Sequence, residues 1–392
     1  MSGSTFGFAI ANGRWKIVES YYSRCAYSLL VFSMKILFFT NIPSPYRVDF
    51  FNALNKFCDL FVLFEAKIDL ECPKNTTDEE RMNYDHHYLS ESKSYRDFLL
   101  SGLWFVLTAK YDRLILHTWY SRTQLCLISL LRILNKKYWI ETDGNTIDTN
   151  ENSLKKRFKQ WIFGGAEGFY SSCKNSDDYF VYYGVDRTRI HRYSFTSVCD
   201  ADILPQVLSQ SKKNEIREKL GIQIDAKVVL AVGRFIPVKG FDILIKASTP
   251  EWHVYIVGGE ITAEYCKLRK DLNLEDNVHF VSYCQKDELS NYYKAADIFV
   301  LPTRGDSWGL VINEAMSYGL PVITTDHCGS GLEMLDCQDI TIVPSENIVA
   351  LNRSISHLLE DNNLRSKIGL RNLEYAREHT IERMAKEHIN TQ

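Results

Sequence analysis

DIFVLPTRGDSWGLVINEAMSYGLPVITT occupies residues 297–325 of a 392-residue chain. It opens on a short apolar run, 297–302, rich in β-branched and aromatic side chains. A loop with Gly305 follows, and the pattern from Trp308 to Tyr318 is helical. Gly319-Leu320-Pro321 stops the helix, and PVITT, residues 321–325, is a second apolar run. Strand, loop, helix and strand in this order make a βαβ unit, and two strands joined by a helix run parallel.

The same grammar extends to both sides. KVVLAVG (227–233), HVYIVGG (253–259) and NVHFVSY (277–283) each lead into a loop and a helical segment. Residues 212–220 read as a helix stopped by Gly221. In the amino-terminal half, strands are expected at 35–40, 60–64, 114–117 and 138–141, and helices at 48–57, 121–134, 154–163 and 176–183. The expected fold class is α/β, with two doubly wound Rossmann-like domains facing a cleft. The expected boundaries are 34–205 for the first domain, 206–213 for a polar linker and 214–375 for the second. A charged final helix, 376–392, is expected to cross back to the first domain. Residues 1–33 read as an extension that the fold does not need, with Met34 as an alternative start.

Composition narrows the function classes. The chain is 45% hydrophobic and 24% charged, as soluble globular proteins are. A net charge of −3 gives no global electrostatic case for nucleic acid. The ten cysteines include no C-x-x-C pair, which favours reduced thiols over a disulfide framework or a zinc site. Residues 26–40 are the most apolar run, but Lys35 interrupts them, and neither a spanning helix nor a signal peptide is expected. Asn75-Thr76-Thr77 is a glycosylation sequon that matters only in a secretory lumen.

Chemistry is expected at the carboxyl ends of the strands. In GRFIPVKG, Gly233 permits a tight exit from a strand, Arg234 offers a planar fork and Lys239 a point charge. Such a pair suits a diphosphate; the alternative is two solvated surface cations. Asp306 and Glu314 are eight positions apart, or about 12 Å if both lie on one helix. Glycosidase carboxylates stand roughly 5–9.5 Å apart across one bond, so this pair better suits two ends of one extended ligand. Asp306-Ser307 is expected to cap the helix, leaving the first N–H groups, near Ser307, Trp308, Gly309 and Leu310, to face an anion. DHCGSGLE, 326–333, offers a glycine-rich loop whose alternative is a simple turn. In the first half, Arg47, then His117, Trp119 and Tyr120, then Glu141, Asp143 and Asn145 follow three strands and are expected to aim polar groups into the cleft.

GRFIPVKG, VGGE, NVHFVSY and LPTRGDSWGLVINEAMSYGLPVITT together resemble the retaining glycosyltransferases of family 4, the glycosyl transferases group 1 with the GT-B fold. The resemblance covers roughly residues 34–392 and is densest from 228 to 333. It implies a donor side in the second domain, where Arg234 and Lys239 bind the diphosphate, Glu314 the nucleotide ribose and Asp306 the transferred sugar. Gly233, Ser307, Trp308, Gly309 and Leu310 complete that donor set. It implies an acceptor side in the first domain, with Arg47, His117 and Asp143. Asp143, Arg234, Lys239 and Asp306 are the expected catalytic set. Two positions depart from the family pattern: Asp306 replaces a Glu, and Asp143 stands where some members carry a His.

The implied reaction moves a sugar from a UDP- or GDP-sugar to an acceptor hydroxyl, with retention and without metal or other cofactor. The implied setting is cytoplasmic synthesis of a cell-surface glycan or polysaccharide, with a glycan or lipid-linked acceptor. Three rivals compete with it: a same-fold epimerase or phosphorylase, a nicotinamide dehydrogenase, and a non-catalytic nucleotide-sugar-binding subunit. The dehydrogenase wants a G-x-G-x-x-G that no strand end supplies. DAD, 200–202, mimics a metal-binding D-x-D but lies outside a strand–loop context. Asp85-His86-His87 alternate across a strand and do not form a metal site. LKKRFKQWIF, 154–163, either packs on the sheet or lies on anionic lipid, as a peripheral contact with the inner face of the cytoplasmic membrane.

Overall fold

The computed structural model describes residues 6–11, 14–19, 34–67, 79–90, 106–117, 119–145, 147–335 and 338–391. The chain divides into two compact units, 1–33 and 34–392. In the smaller unit, β1 (Phe6–Ala11) pairs antiparallel with β2 (Arg14–Glu19), with Phe6 opposite Glu19. The sequon at 75–77 and the apolar residues 26–33 lie outside the described residues.

Two wholly parallel sheets carry the larger unit. The first comprises β3 (Lys35–Thr40), β4 (Asp59–Phe64), β5 (Asp85–Tyr88), β6 (Arg113–His117), β7 (Trp139–Thr142), β8 (Gly168–Ser171) and β9 (Ile190–Arg192). Its order is β5-β4-β3-β6-β7-β8-β9. The second comprises β10 (Val228–Val232), β11 (His253–Val257), β12 (Val278–Val281), β13 (Ile298–Leu301), β14 (Val322–Thr325) and β15 (Ile342–Val343), in the order β12-β11-β10-β13-β14-β15. Both orders reverse direction beside their first strand, where a doubly wound sheet opens a crevice. β3, β6, β7, β8, β10, β13 and β14 are buried almost end to end, as strands covered on both faces must be.

The helices α1 (Pro45–Leu54), α2 (Arg122–Ile133), α3 (Ser153–Gly165) and α4 (Lys174–Tyr182) belong to the first sheet. α5 (Gln210–Leu220), α6 (Phe241–Ala247), α7 (Ala263–Asp271), α8 (Lys286–Ala295), α9 (Leu310–Ser317), α10 (Gly329–Met334), α11 (Gln338–Thr341) and α12 (Ile348–Glu360) follow with the second. α1 begins three residues before its expected start, because Pro45 suits a first helical turn. Ser121 caps α2 by accepting from the Gln124 N–H at 3.1 Å. Gly221 ends α5 in the left-handed region at φ 69°. Part of the expected linker 206–213 is helical, since α5 begins at Gln210.

The charged tail is not one helix. It breaks at His379-Thr380 into α13 (Asn362–Glu378) and α14 (Ile381–Asn390), and Thr380 caps the second by accepting from the Arg383 N–H at 3.3 Å. α14 lies against the first sheet, where Arg113 and Tyr170 donate to the His388 carbonyl at 2.9 and 2.7 Å. Among the described residues no helix is long and apolar enough to cross a membrane.

One buried ion pair fixes the start of the second sheet. Arg217 Nη2 lies 2.9 Å from Asp297 Oδ2, and its other nitrogens donate to the carbonyls of Ala295, Ile224 and Ala226. Asp297 also accepts from the Val228 N–H at 2.9 Å. Removing one partner strands a buried charge, so Arg217→Ala is expected to lose about 3–5 kcal/mol. Denaturant melts of the two proteins measure this, and a loss under about 1 kcal/mol would show the pair to be solvated.

Candidate active site

At the carboxyl edge of the second sheet, β10 exits through Gly233 at φ 155°. A Cβ on Gly258, after β11, would stand 1.9 Å from the Gly233 carbonyl oxygen, so these two strand ends touch backbone to backbone. The loop then forms a single 3-10 turn, Pro237–Lys239, ended by Gly240 at φ 68°. A Cβ there would meet the Pro302 oxygen at 1.9 Å. Thr303 Oγ1 and the Arg304 N–H both donate to the Val238 carbonyl, at 2.9 and 2.7 Å. The two loops expected to carry function are therefore one braced structure.

Within it, Lys239 Nζ lies 2.5 Å from Asp306 Oδ2, both largely screened from solvent. Arg234 is exposed and makes no ion pair among the described residues, so its fork is open to an incoming anion. Arg304 is spent elsewhere, in a two-pronged pair with Asp242 at 2.8 and 2.9 Å. The helix expected from Trp308 begins at Leu310, with Gly309 as its cap at φ 94°. Asp306 and Ser307 stay in the loop because Asp306 is pinned to the next strand connection. Its N–H donates to the His327 carbonyl, and its carbonyl accepts from the Gly329 N–H, both at 3.0 Å. The helical estimate of the Asp306–Glu314 spacing therefore does not apply, since only Glu314 is helical. The N–H groups that open α9, near Gly309 and Leu310, lack intrahelical acceptors.

Trp308 is buried. Its indole donates to Asn313 Oδ1 at 2.9 Å, and its ring packs on Phe195 at 5.5 Å between centroids. Expected beside a ligand, this side chain instead joins the two halves. Glu314 is held by Ser197 and Tyr293, whose hydroxyls donate to it at 3.0 and 2.9 Å. Burial raises its carboxyl above the usual range, and the two hydroxyls only partly offset that. DHCGSGLE is not a phosphate-type loop: Gly329 and Gly331 lie in α10. A Cβ on them would strike the Ser307 oxygen at 2.2 Å and Thr324 Cγ2 at 2.3 Å.

The first sheet contributes a buried charged cluster. Arg47, on α1, is 1% exposed and donates to Glu141 Oε1 and Asp143 Oδ1, each at 2.5 Å. The rings of Tyr46, Phe195, Phe50 and Phe38 stand 5.4–6.0 Å from its guanidinium carbon. Asp143 also accepts from Tyr46 and Tyr193 at 3.2 and 3.1 Å and meets His117 Nε2 at 3.1 Å. His117 Nδ1 meets Thr40 Oγ1 at 2.9 Å. Glu141 meets His388 Nε2, from α14, at 3.0 Å. Burial would raise both carboxyls, but the Arg47 charge outweighs it, and each is held well below the usual carboxylate range.

This network alters the expected acceptor-side set. Arg47 is enclosed and has no surface to offer an acceptor. Both nitrogens of His117 are engaged. Asp143 keeps 25% of its side chain exposed, but its oxygens already meet four donors, which suits a positioning carboxylate better than a base. His117, Glu141 and Asp143 offer ligand atoms within 4.8 Å of one another, a spacing that a metal ion could use. Arg47 already sits between the two carboxylates as their cation, so those donors are not free for a metal.

The two edges meet. A Cβ on Gly144, φ 148°, would come 2.5 Å from the Ser307 oxygen, so the loop bearing Asp143 touches the loop bearing Asp306. DAD serves structure: Asp202 accepts from the Cys199 N–H at 2.9 Å and pairs with Lys286 at 2.7 Å. Asp85-His86-His87 lie on edge strand β5. Sequence reading missed Tyr46, Tyr193, Ser197, Tyr293 and His388. Tyr46 was open to inference, standing next to Arg47; the others reach the site from distant elements.

Comparison with known proteins gives this geometry a family context. Residues 212–375 match the glycosyl transferases group 1. That segment holds Gly233, Arg234, Lys239, Asp306 and Glu314, so the match covers the carboxyl edge of the second sheet. Mannosylfructose-phosphate synthase of Agrobacterium fabrum is 35% identical over 162 residues, covering 38% of this chain and 35% of that protein. D-inositol 3-phosphate glycosyltransferase of Streptomyces bingchenggensis is 28% identical over 239 residues, covering 57% and 51%. The chain thus spans about a third to a half of these curated relatives. The crystal structure of Anabaena HepE in complex with UDP superposes with TM-score 0.73 at 17% identity, over 91% of this chain and 98% of that one. This is a likeness of fold, and it makes the two sheets a GT-B pair.

The Arg47 cluster has a pH signature. Glu141 and Asp143 bind protons less readily folded than unfolded. As pH falls from about 4.5 to about 2, the unfolded state takes up more protons and stability drops. Arg47→Met leaves two buried carboxylates without their cation and is expected to cost about 3–5 kcal/mol at neutral pH. That deficit should shrink as the pH falls and the orphaned carboxyls take up protons. Denaturant melts from pH 7 to pH 2 (a range set by the carboxyl titrations) read both effects; parallel curves for the two proteins would contradict this account.

Proposed function

We propose that the chain is a retaining glycosyltransferase that moves a sugar from a nucleotide diphosphosugar, UDP- or GDP-linked, to an acceptor hydroxyl. The observation that carries this reading is the set of anion-seeking groups at one strand edge. Arg234, Lys239 and the start of α9 converge there, within the segment of group 1 type. The names of the relatives, a mannosylfructose-phosphate synthase and a D-inositol 3-phosphate glycosyltransferase, agree with it. So does the HepE structure with UDP-glucose, as a precedent for the donor class. We place the reaction in glycan or polysaccharide synthesis.

In this reading the donor diphosphate lies between Arg234, Lys239 and the N–H groups of Gly309 and Leu310. These are fixed charges and dipoles aimed where negative charge grows as the diphosphate departs. The bond from the anomeric carbon to the phosphate oxygen breaks, and the acceptor oxygen bonds to that carbon on the same face. The acceptor proton passes to the departing phosphate oxygen, so no protein base is required. That fits an Asp143 whose oxygens are already taken. Asp143 acts by positioning His117 and the loop at Gly144. Asp306 holds Lys239 at rest and turns a carboxylate oxygen to a hydroxyl of the transferred sugar. Glu314 takes the ribose hydroxyls by exchanging its contact with Ser197 or Tyr293.

Two tests follow from these roles. Lys239→Ala and Arg234→Ala are each expected to lower kcat/KM by about 10²–10³-fold, read as acceptor-dependent release of nucleoside diphosphate. Near-normal turnover would overturn their assignment, and donor binding without turnover over a broad acceptor panel would favour a binding subunit. Asp306→Glu lengthens the arm by one methylene. It is expected to change the ranking of competing donors by about 10-fold, the scale of one methylene in a fitted site. An unchanged ranking would remove Asp306 from sugar contact.

A further inference from the structure

We infer that the outward face of α3 is a docking surface for an anionic lipid bilayer. α3 is apolar on two sides. Inward, Ile162 and Phe163 are buried against the sheet, and Lys159 turns in to pair with Glu151 at 2.5 Å. Outward, Leu154, Phe158 and Trp161 recur at the i, i+4 and i+7 spacing of one helical stripe. They are 72%, 42% and 39% exposed, and the Phe158 and Trp161 rings stack 6.0 Å apart. The stripe continues onto the end of α2, where Ile133 is 74% exposed and Leu134 is 47% exposed. The two helices touch there: the Arg132 guanidinium lies over the Trp161 ring at 5.2 Å, and a Cβ on Gly165 would strike Arg132 Cδ.

Scattered exposed apolar residues are ordinary, but a continuous stripe over two helices is not. The charges around it are basic. Arg157 lies within the stripe, Lys155 flanks it and Lys136 borders Ile133. Neither Arg157 nor Lys136 makes an ion pair among the described residues, and Lys155 stands 4.0 Å from Glu151. Apolar side chains framed by exposed cations, two of them without an ion pair among the described residues, match an interfacial helix on anionic lipid. They do not match a second copy of this chain, because a symmetric contact would set the same cations against each other. α3 also follows directly on the loop that holds Asp143 and Gly144. It runs from the carboxyl edge of the sheet back to its amino edge, so Trp161, Ile133 and Leu134 lie away from the cleft used by the function proposed above. The docking itself does not depend on that function.

The test is co-sedimentation of the full chain with vesicles of phosphatidylcholine alone and of phosphatidylcholine with phosphatidylglycerol at about 3:1. Binding is expected to the anionic vesicles only, and to weaken with salt. Joint replacement of Phe158 and Trp161 by Ser should lower it at least ~10-fold, and Trp161→Phe should keep most of it. Arg157→Ala and Lys155→Ala should each lower it about fivefold. If the double variant melts early, these two charge variants decide, since their side chains are exposed. The proposal is overturned if the chain does not sediment with anionic vesicles, or if these variants bind as the parent does. It is equally overturned if ultracentrifugation shows a dimer that the double substitution dissolves.

Discussion

The guanidinium of Arg47 is the constraint around which the first half is organised. It is the shared cation of Glu141 and Asp143, two buried carboxylates contributed by the end of one strand and the loop after it. Without it they would repel each other in a medium that screens charge poorly. With it, the loop after β7 is held, His117 is oriented, and Gly144 can be pressed against Ser307 of the other half. An arginine is needed because two carboxylates at different angles require a planar fork, and because its weak hydration lets it sit among aromatic rings. The carboxyl edge of the first sheet thus rests on an ion cluster that is itself closed to solvent around Arg47.

The second sheet uses charge in the opposite way. There the cations stand at the surface of the cleft: Arg234 is open, and Lys239 rests on Asp306. The two loops are braced by the Thr303 hydroxyl and the Arg304 N–H on the Val238 carbonyl, and by Gly240 against Pro302, which leaves Arg234 free of that work. Rigid positioning of exposed charges is what stabilises a departing diphosphate, since little reorganisation is then needed as charge moves.

Local chemistry explains which parts were legible in the sequence. β3, β10, β13 and β14 announce themselves because strands buried on both faces are continuous apolar runs. β8, GFYS, does not, because Gly168 opens it and a Cβ there would strike the Trp139 ring. Its glycine reads as a turn but serves close packing. β5, DHHY, is an edge strand with polar side chains and carries no apolar signal. The helix start at Leu310 was misread because Asp306 looks like a cap, while a distant strand connection holds its backbone away from the helix. The positions of Arg234, Lys239 and Asp306 followed from spacing after a strand. The partners of Glu141 and Glu314 did not, since His388 and Ser197 are far off in the chain and no periodicity links them.

α14 carries a consequence for how the molecule is made. It supplies His388 to Glu141, and its last turn accepts from Arg113 and Tyr170. Glu141 is therefore translated long before its imidazole partner. During synthesis the first sheet can form its ladders, but one of its buried carboxylates waits for the second sheet to be built and for residue 388 to leave the ribosome. Domains that emerge first usually fold first. Here the domain that emerges first is the one that closes last.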